Sequence, residues 1–303
     1  MKTKSEIVRA FILGSLLEVA IPKPGNVSRY KDFEDLTFYH FLFGNTALIG
    51  PYFEATERGI LLKEGKINES EVGIGKLIRI AVAEAKKYQD ANPNFGIIVL
   101  SIPLIVSLSS GASIEDAGKM ATRLISKSTP LDTVELYKAI RIANPKGIPR
   151  GVKYDVYSDT SFEDLVRDGI NLYKLAEISC ERELVFCEWL NNYDLTYETL
   201  KLLENNLESE DLEGKVRKTF VVLLSKYEDT LIIRKAGIQE AKKVKEMATQ
   251  LLKNKITEEE FERFMYEKRD LRNPGSLADI MATALSLLML KGYRLESKFL
   301  RKI

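Results

Sequence analysis

The sequence predicts an all-α protein: a single multi-helix globular domain with a central buried apolar helix. Three observations carry that prediction. Apolar residues recur at helical spacing almost from end to end. Helix-start signatures precede several of the periodic runs. No convincing stretch alternates apolar with polar residues as a half-buried strand would, and the one β-leaning piece, Gly151–Tyr157, is short and lies in a Pro/Gly-rich connection.

The first helix lies in MKTKSEIVRAFILGSLLEVA, where Ile7, Phe11 and Leu17 together with Val8, Ile12 and Leu16 leave it apolar almost all round, so it should be buried. Basic residues before an apolar run resemble a signal peptide, but Glu6, Arg9 and Glu18 interrupt it and nothing like a cleavage site follows. AIPKPGNVSRY then stops the helix. Proline fixes its own φ and pushes the preceding residue out of helical space, so Ile21 and Lys23 should be extended and Gly25-Asn26 should turn with positive φ. Further helical segments read over residues 35–58, 69–90, 95–109, 113–127, 131–143, 161–193, 196–206, 214–236, 237–253, 257–269 and 276–291. Capping boxes at Ser113…Asp116, Ser161…Asp164 and Thr257…Glu260 support three of the starts. The most apolar segment, Phe95–Ser109, is shorter than the ~20 residues a membrane span needs and contains Pro103, so it reads as the buried core helix. Asn144–Thr160 and Glu204–Gly214 read as loops within one domain over 1–303, without a solenoid repeat.

Composition narrows the function classes. Lys+Arg number 45 against 44 Asp+Glu, with a formal net charge of +1, so no electrostatic excess points to nucleic acid or an anionic membrane. The two cysteines, Cys180 and Cys187, would stand about 10 Å apart on one helix at ~1.5 Å per residue, too far for a disulfide. That spacing suggests a reduced, cytoplasmic protein. The single histidine, His40, excludes a His-pair zinc site, and its aromatic neighbours Phe38-Tyr39 and Phe41 mark it as packed rather than catalytic. Neither a phosphate-binding P-loop nor a strand-embedded G-x-G-x-x-G occurs.

Five polar stretches sit where an amphipathic helix has no need of them: Glu18–Arg29, Asp35–Tyr52, Asn92-Pro-Asn-Phe-Gly96, Asp229-Thr230 through Arg234-Lys235 to Gly237, and Asn273-Pro-Gly-Ser-Leu-Ala-Asp279. Each taken singly has a plain alternative: Asn92 or Asn94 could cap a helix, Ser276…Asp279 is a capping box as it stands, and Asp229 could be an exposed acid. Taken together they are the parts of a Mg²⁺–polyphosphate site. Asp35, Asp229 and Asp279 would be oxygen ligands or catalytic carboxylates, and Lys23, Arg29, Arg234 and Lys235 phosphate partners. Gly25, Asn26, Asn92, Asn94, Thr230, Asn273, Gly275 and Ser276 would supply polar groups and free N–H donors.

The ordered set Pro22-Lys-Pro-Gly25, Asp35, Pro51-Tyr-Phe53, Asn92…Gly96, Asp229-Thr230 and Pro274-Gly…Ala278-Asp279 resembles the triphosphoribosyl-dephospho-CoA synthase family over about residues 5 to 290. The resemblance implies a cytoplasmic, all-helical transferase in which the 2′-hydroxyl of 3′-dephospho-CoA displaces adenine from C1 of the ATP ribose, with ATP as substrate and Mg²⁺ bound. Small-molecule nucleotides would be its partners, with no nucleic acid and no membrane; homo-oligomer formation stays open. Glycosyl transfer of this kind needs a carboxylate near the anomeric carbon, a base for the hydroxyl and a donor to the departing base. Asp35, Asp229 and Asp279 are the candidates for metal or general-base work, and Lys23, Arg29 and Arg234 for phosphate.

The chain departs from that pattern in ways that make it similar to a divergent, archaeal-looking branch. Where typical members have Asn-Thr-His-Lys-Gly it has Asn92-Pro-Asn94-Phe95-Gly96. Phe33, Asp35 and Thr37 stand in the His-x-Asp-Met-Asp region, and Asp229-Thr-Leu with Ala236-Gly237 replaces Asp-Thr-Asn and a Gly-Gly turn. Two alternatives follow: a Mg-dependent hydrolase or transferase acting on another phosphorylated ribosyl or nucleotide substrate, or a nucleotide-binding protein without catalysis.

Overall fold

Helix α5 (Phe95–Ser109) is apolar on every side, and every residue from Ile97 to Ser109 is buried. Its one internal defect is repaired from outside. Pro103 has no N–H to give the carbonyl of Val99 four residues back, and Trp189 Nε1–H donates to that oxygen instead at 3.2 Å, while the Tyr193 hydroxyl donates to the Leu100 carbonyl at 3.0 Å. Helix α16 (Gly275–Leu290) is buried almost as completely and packs on both α5 and α1 (Lys4–Ala20). The apolar centre is therefore shared between α5 and α16 rather than being one central helix. A β-carbon on Gly14 of α1 would lie 2.3 Å from Ser286 Oγ of α16, so the glycine is what lets the two helices meet backbone to backbone.

A computed structural model of the chain describes residues 2–302 apart from 146, 149, 206, 208 and 209. Around the central helices stand α2 (Phe38–Ala47), α3 (Ile49–Lys63), α4 (Ile74–Lys87), α6 (Ala117–Lys127), α7 (Pro130–Ala143), α8 (Ser161–Arg167), α9 (Leu172–Ser179) and α10 (Leu184–Leu190). The series continues with α11 (Asp194–Glu204), α12 (Leu212–Lys226), α13 (Thr230–Ala236), α14 (Ile238–Leu252) and α15 (Glu258–Glu267). The all-α expectation holds with one addition, an antiparallel hairpin of β1 (Tyr293–Glu296) and β2 (Phe299–Lys302). Gly151–Tyr157 forms no strand. Of the two expected loops, residues 146, 149, 206, 208 and 209 lie outside the described residues. No helix among the described residues is long and apolar enough to cross a membrane.

Three long segments are broken more often than periodicity suggests. Residues 35–58 divide at Leu48 into α2 and α3. Residues 214–236 divide where Asp229 caps α13, and 161–193 becomes α8, α9 and α10. A capping signal inside an apolar run is invisible to periodicity when the following turn is itself apolar. The expected box at Thr257…Glu260 forms; Ser113 and Asp116 do exchange hydrogen bonds, but in a turn, and α6 starts only at Ala117 without a side-chain cap. At α8 the partners shift by one residue, Thr160 Oγ1 donating to Asp164 Oδ2 at 2.8 Å, and Ser161 Oγ accepts from Arg141.

The expectation of two distant thiols is overturned. Helix α9 ends at Ser179 and α10 starts at Leu184, so the chain reverses between the cysteines. Their Cα atoms stand 4.6 Å apart and a disulfide joins Cys180 to Cys187. The distance argument assumed one continuous helix. His40 is not core either: half-buried, it caps α2 by accepting the Thr37 N–H at Nδ1 (2.9 Å) and faces Asp90 through Nε2 (3.2 Å). Reduction of the Cys180–Cys187 bond, or a Cys180→Ser/Cys187→Ser variant, should lower unfolding free energy in urea by about 2–3 kcal/mol, the chain-entropy value for so short a ring. An unchanged midpoint would show that packing alone holds the α9–α10 reversal.

Candidate functional site

All five polar stretches reach one cavity of about 440 Å³. The first supplies Glu18, Asn26 and Val27, the second Asp35 and Phe41, and the third Asn92, Phe95 and Gly96. The fourth supplies Leu231, Arg234 and Lys235, and the fifth Asn273, Gly275, Ser276 and Asp279. The volume is that of a small-molecule site. Glu18, Asn26, Asn273 and Ser276 are buried, whereas Asp35, Asp90 and Asp270 stand exposed around its edge.

The fifth stretch resolves one ambiguity. Ser276 does not cap α16 with its side chain, which accepts from Thr230 Oγ1 at 2.8 Å. The start of α16 is capped from elsewhere: Asp229 Oδ2 accepts the Leu277 N–H at 2.8 Å, while its Oδ1 accepts from Leu231 and Ile232 at the head of α13. Asp279 is thereby released from any capping duty, and its side chain lies against Gly96 at the start of α5. A β-carbon on Gly96 would fall 1.9 Å from Asp279 Oδ2. That contact explains the glycine that ends Asn92…Gly96: it leaves the room in which the Asp279 carboxyl sits.

Nine predicted residues line the cavity together: Asn26, Asp35, Asn92, Arg234, Lys235, Asn273, Gly275, Ser276 and Asp279. Two of them carry buried polar atoms without a hydrogen-bond partner among the described residues, Asn26 Oδ1 and Arg234 Nε. Asn26 is fixed by its Nδ2 donating to Asn273 Oδ1 at 3.0 Å, and Arg234 by an ion pair with Glu183. An orphaned acceptor and an orphaned donor in one wall are what a polar ligand would satisfy.

Six predicted residues are not in that wall. Lys23, expected to reach phosphate, turns back over the end of α1. Its ammonium pairs with Glu18 Oε1 at 2.9 Å and donates to the Glu18 and Ile21 carbonyls, with the side chain wholly inaccessible. The expected backbone does form, with Ile21 extended and Gly25 at φ 79°, but it serves to close the helix. A β-carbon on Gly25 would meet Met265 and the Arg272 carbonyl, so this glycine is a packing requirement. Arg29 is half-exposed and pairs with Glu213 at 2.7 Å. Asn94 is buried and donates to Asn45 Oδ1 at 3.2 Å without capping α5. Thr230 bridges Ser276 and the Leu184 N–H. Asp229 is buried, not an exposed acid, and both of its oxygens are occupied by backbone donors.

The three aspartates consequently do not form a metal cage. Among the described residues no three His, Cys, Asp or Glu side chains stand close enough to hold one ion. A Mg²⁺ bound through substrate phosphates needs only one or two protein carboxylates, a requirement the cavity's own acids can meet.

Sequence reasoning passed over Glu183, Asp90 and Asp270, and did not assign Glu18 although it opens the first stretch. Glu18 had a readable signal, an acid in the otherwise uncharged carboxy-terminal half of α1. Glu183 had none, because its place depends on the α9–α10 reversal. The cavity disfavours negative charge at its inner end. Burial, with Glu18 and Asp229 nearby, pushes the Asp279 carboxyl well above the usual carboxylate range, against a weaker pull from Arg234. Burial likewise raises Asp229 to about 6, opposed by its three backbone donors, and raises Glu18 against the pull of Lys23.

Residues 4–298 match the family described as ATP:dephospho-CoA triphosphoribosyl transferase. The chain belongs to that family. A crystal structure from Archaeoglobus fulgidus, of a protein provisionally named triphosphoribosyl-dephospho-CoA synthase, is similar to it at 26% identity and a TM-score of 0.64, covering 85% of this chain and 100% of the other. No curated protein matches the sequence. Membership supports a transferase activity in general, as the ordered motifs implied.

Gly96→Ala should isolate the Asp279 contact. Alanine favours the helix by about 1 kcal/mol, while the forced displacement costs about 1–3 kcal/mol, so stability should fall by no more than about 2 kcal/mol and the protein should stay folded. Ligand binding or turnover at the cavity should fall at least about 100-fold, the loss expected when a reacting group is misplaced by an ångström. Unaltered function in a folded Gly96→Ala protein would remove Asp279 from the site.

Proposed function

We propose that the chain transfers the triphosphoribosyl group of ATP to the 2′-hydroxyl of 3′-dephospho-CoA, releasing adenine. The convergence of all five polar stretches on one cavity carries this reading. The amino-terminal ends of α5 and α16 open onto that cavity through Phe95-Gly96 and Gly275-Ser276, and helix amino termini favour anions. Arg234 and Lys235 lie in the same wall and suit a polyphosphate chain, with Arg234 Nε still unpartnered among the described residues. Asp279 at the inner end and Asp35 at the edge are the carboxyls available for proton transfer. Mg²⁺ would accompany the triphosphate, with Asp35 and Asp279 the predicted ligands still in the wall, and its chemistry would be to neutralise phosphate charge.

One observation favours the alternative of a different acceptor or a hydrolytic outcome. Phe95 forms cavity wall and Asn94 faces Asn45, at the positions where typical members of the resembled family carry His-Lys. Any proton donor to the leaving group must come from another residue.

Chromatography of a mixture of protein, ATP, Mg²⁺ and dephospho-CoA should show adenine and a triphosphoribosyl adduct in equal amounts. Adenine without adduct would indicate hydrolysis, and adduct formation only with another ribosyl acceptor would change the substrate. No release of base or phosphate from any of these nucleotides, with binding retained by calorimetry, would reduce the activity to nucleotide binding.

A further inference from the structure

Cys180 and Cys187 close a covalent ring at the α9–α10 reversal, and residues inside that ring form cavity wall. Glu183 makes the ion pair with Arg234 of α13. The next residue, Leu184, donates its N–H to Thr230 Oγ1 at 3.1 Å, and Thr230 donates in turn to Ser276 Oγ of α16 at 2.8 Å. Val185 and Phe186 are buried and line the cavity. Neither cysteine is buried, and Glu181 and Arg182 between them are exposed, so the ring reaches from solvent to the ligand wall. Glu183 itself belongs to no helix. Its place on Arg234 depends on the tie between the end of α9 and the start of α10, helped by the Phe186 N–H, which donates to the Glu183 carbonyl at 2.9 Å.

We propose that the Cys180–Cys187 disulfide is a redox switch for the cavity. Closed, it holds Glu183 on Arg234 and so orients the guanidinium that faces the ligand; opened by a dithiol, it releases that stretch of wall. In the opening step a thiolate of the dithiol attacks one protein sulfur, breaking the S–S bond and forming a mixed disulfide. The second thiol of the dithiol then displaces the remaining protein sulfur. Two electrons pass to the protein, the two protons of the dithiol end on Cys180 and Cys187, and the dithiol leaves as a disulfide. The reverse exchange with an oxidised partner of the same class reseals the ring. Arg234 Nε has no partner among the described residues, so the guanidinium loses its recorded ion partner when Glu183 moves away. A long side chain that must then be ordered by the ligand lowers affinity, which fixes the direction of the effect: the reduced form binds more weakly.

The coupling of the ring to the wall does not depend on what the cavity binds, whereas the affinity readout rests on the nucleotide reading. The comparison is between oxidised protein, protein reduced with dithiothreitol, and oxidised Glu183→Gln, with the state of the cysteines read by mass after alkylation. Reduction should speed amide exchange over residues 181–187, Leu184 included, and at the head of α13, while α5 keeps its protection. Calorimetry should show ATP with Mg²⁺ bound about 2- to 10-fold more weakly by the reduced form, the effect of one newly mobile side chain. Oxidised Glu183→Gln should be weakened to the same degree and should no longer respond to reduction. Exchange that rises through the whole chain would make the bond a staple of the fold, and exchange or affinity untouched by reduction would leave the wall independent of it; either result overturns the switch. A Glu183→Gln protein that still responds in full overturns the route through Arg234. Failure of both redox forms to bind ATP would defeat the nucleotide reading instead, and the exchange data would still decide whether the ring controls the wall.

Discussion

The cavity depends on a single buried carboxylate that begins two helices at once. Asp229 caps α13 with one oxygen and the start of α16 with the other. Those helices carry Arg234 and Lys235 on one side and Ser276 and Asp279 on the other. Three backbone donors would be stranded in the interior without it, each costing about 1–3 kcal/mol. The arrangement also explains a division of labour: Asp229, for which plain exposure was the alternative, organises the site, and the acid that looked like half of a capping box occupies it.

The same logic applies at α1. A lysine between two prolines invites a functional reading, because the local rigidity is conspicuous. The rigidity turns out to close the end of a buried helix on a buried ion pair. Breaking such a pair by removing one partner typically costs 3–5 kcal/mol, so Lys23 is bound to the fold first. Its partner Glu18 is the member of the pair that lines the cavity.

Much of this was legible in the sequence, and the failures have definite causes. The helices, the Gly25 turn and the buried character of residues 95–109 followed from periodicity, prolines and glycine. The five polar stretches were recognisable because each departs from what an amphipathic helix needs, and all five meet. Their side-chain directions were not readable. Whether Lys23 points inward or back along α1 depends on the packing of Glu18, and whether Ser276 caps α16 depends on Asp229, some 47 residues earlier. The Cys180–Cys187 bond was misjudged because apolar periodicity runs through a chain reversal that only tertiary packing imposes. The role of Gly96 is legible only once Asp279 lies over it.

The central claim is that this cavity is where the nucleotide binds. The most direct measurement is a crystal structure with a non-hydrolysable ATP analogue and Mg²⁺. The triphosphate should lie between Arg234, Lys235 and the amino terminus of α16, with the ribose toward Asp279. An analogue bound on another face, or a cavity left empty at saturating ligand, would contradict the account.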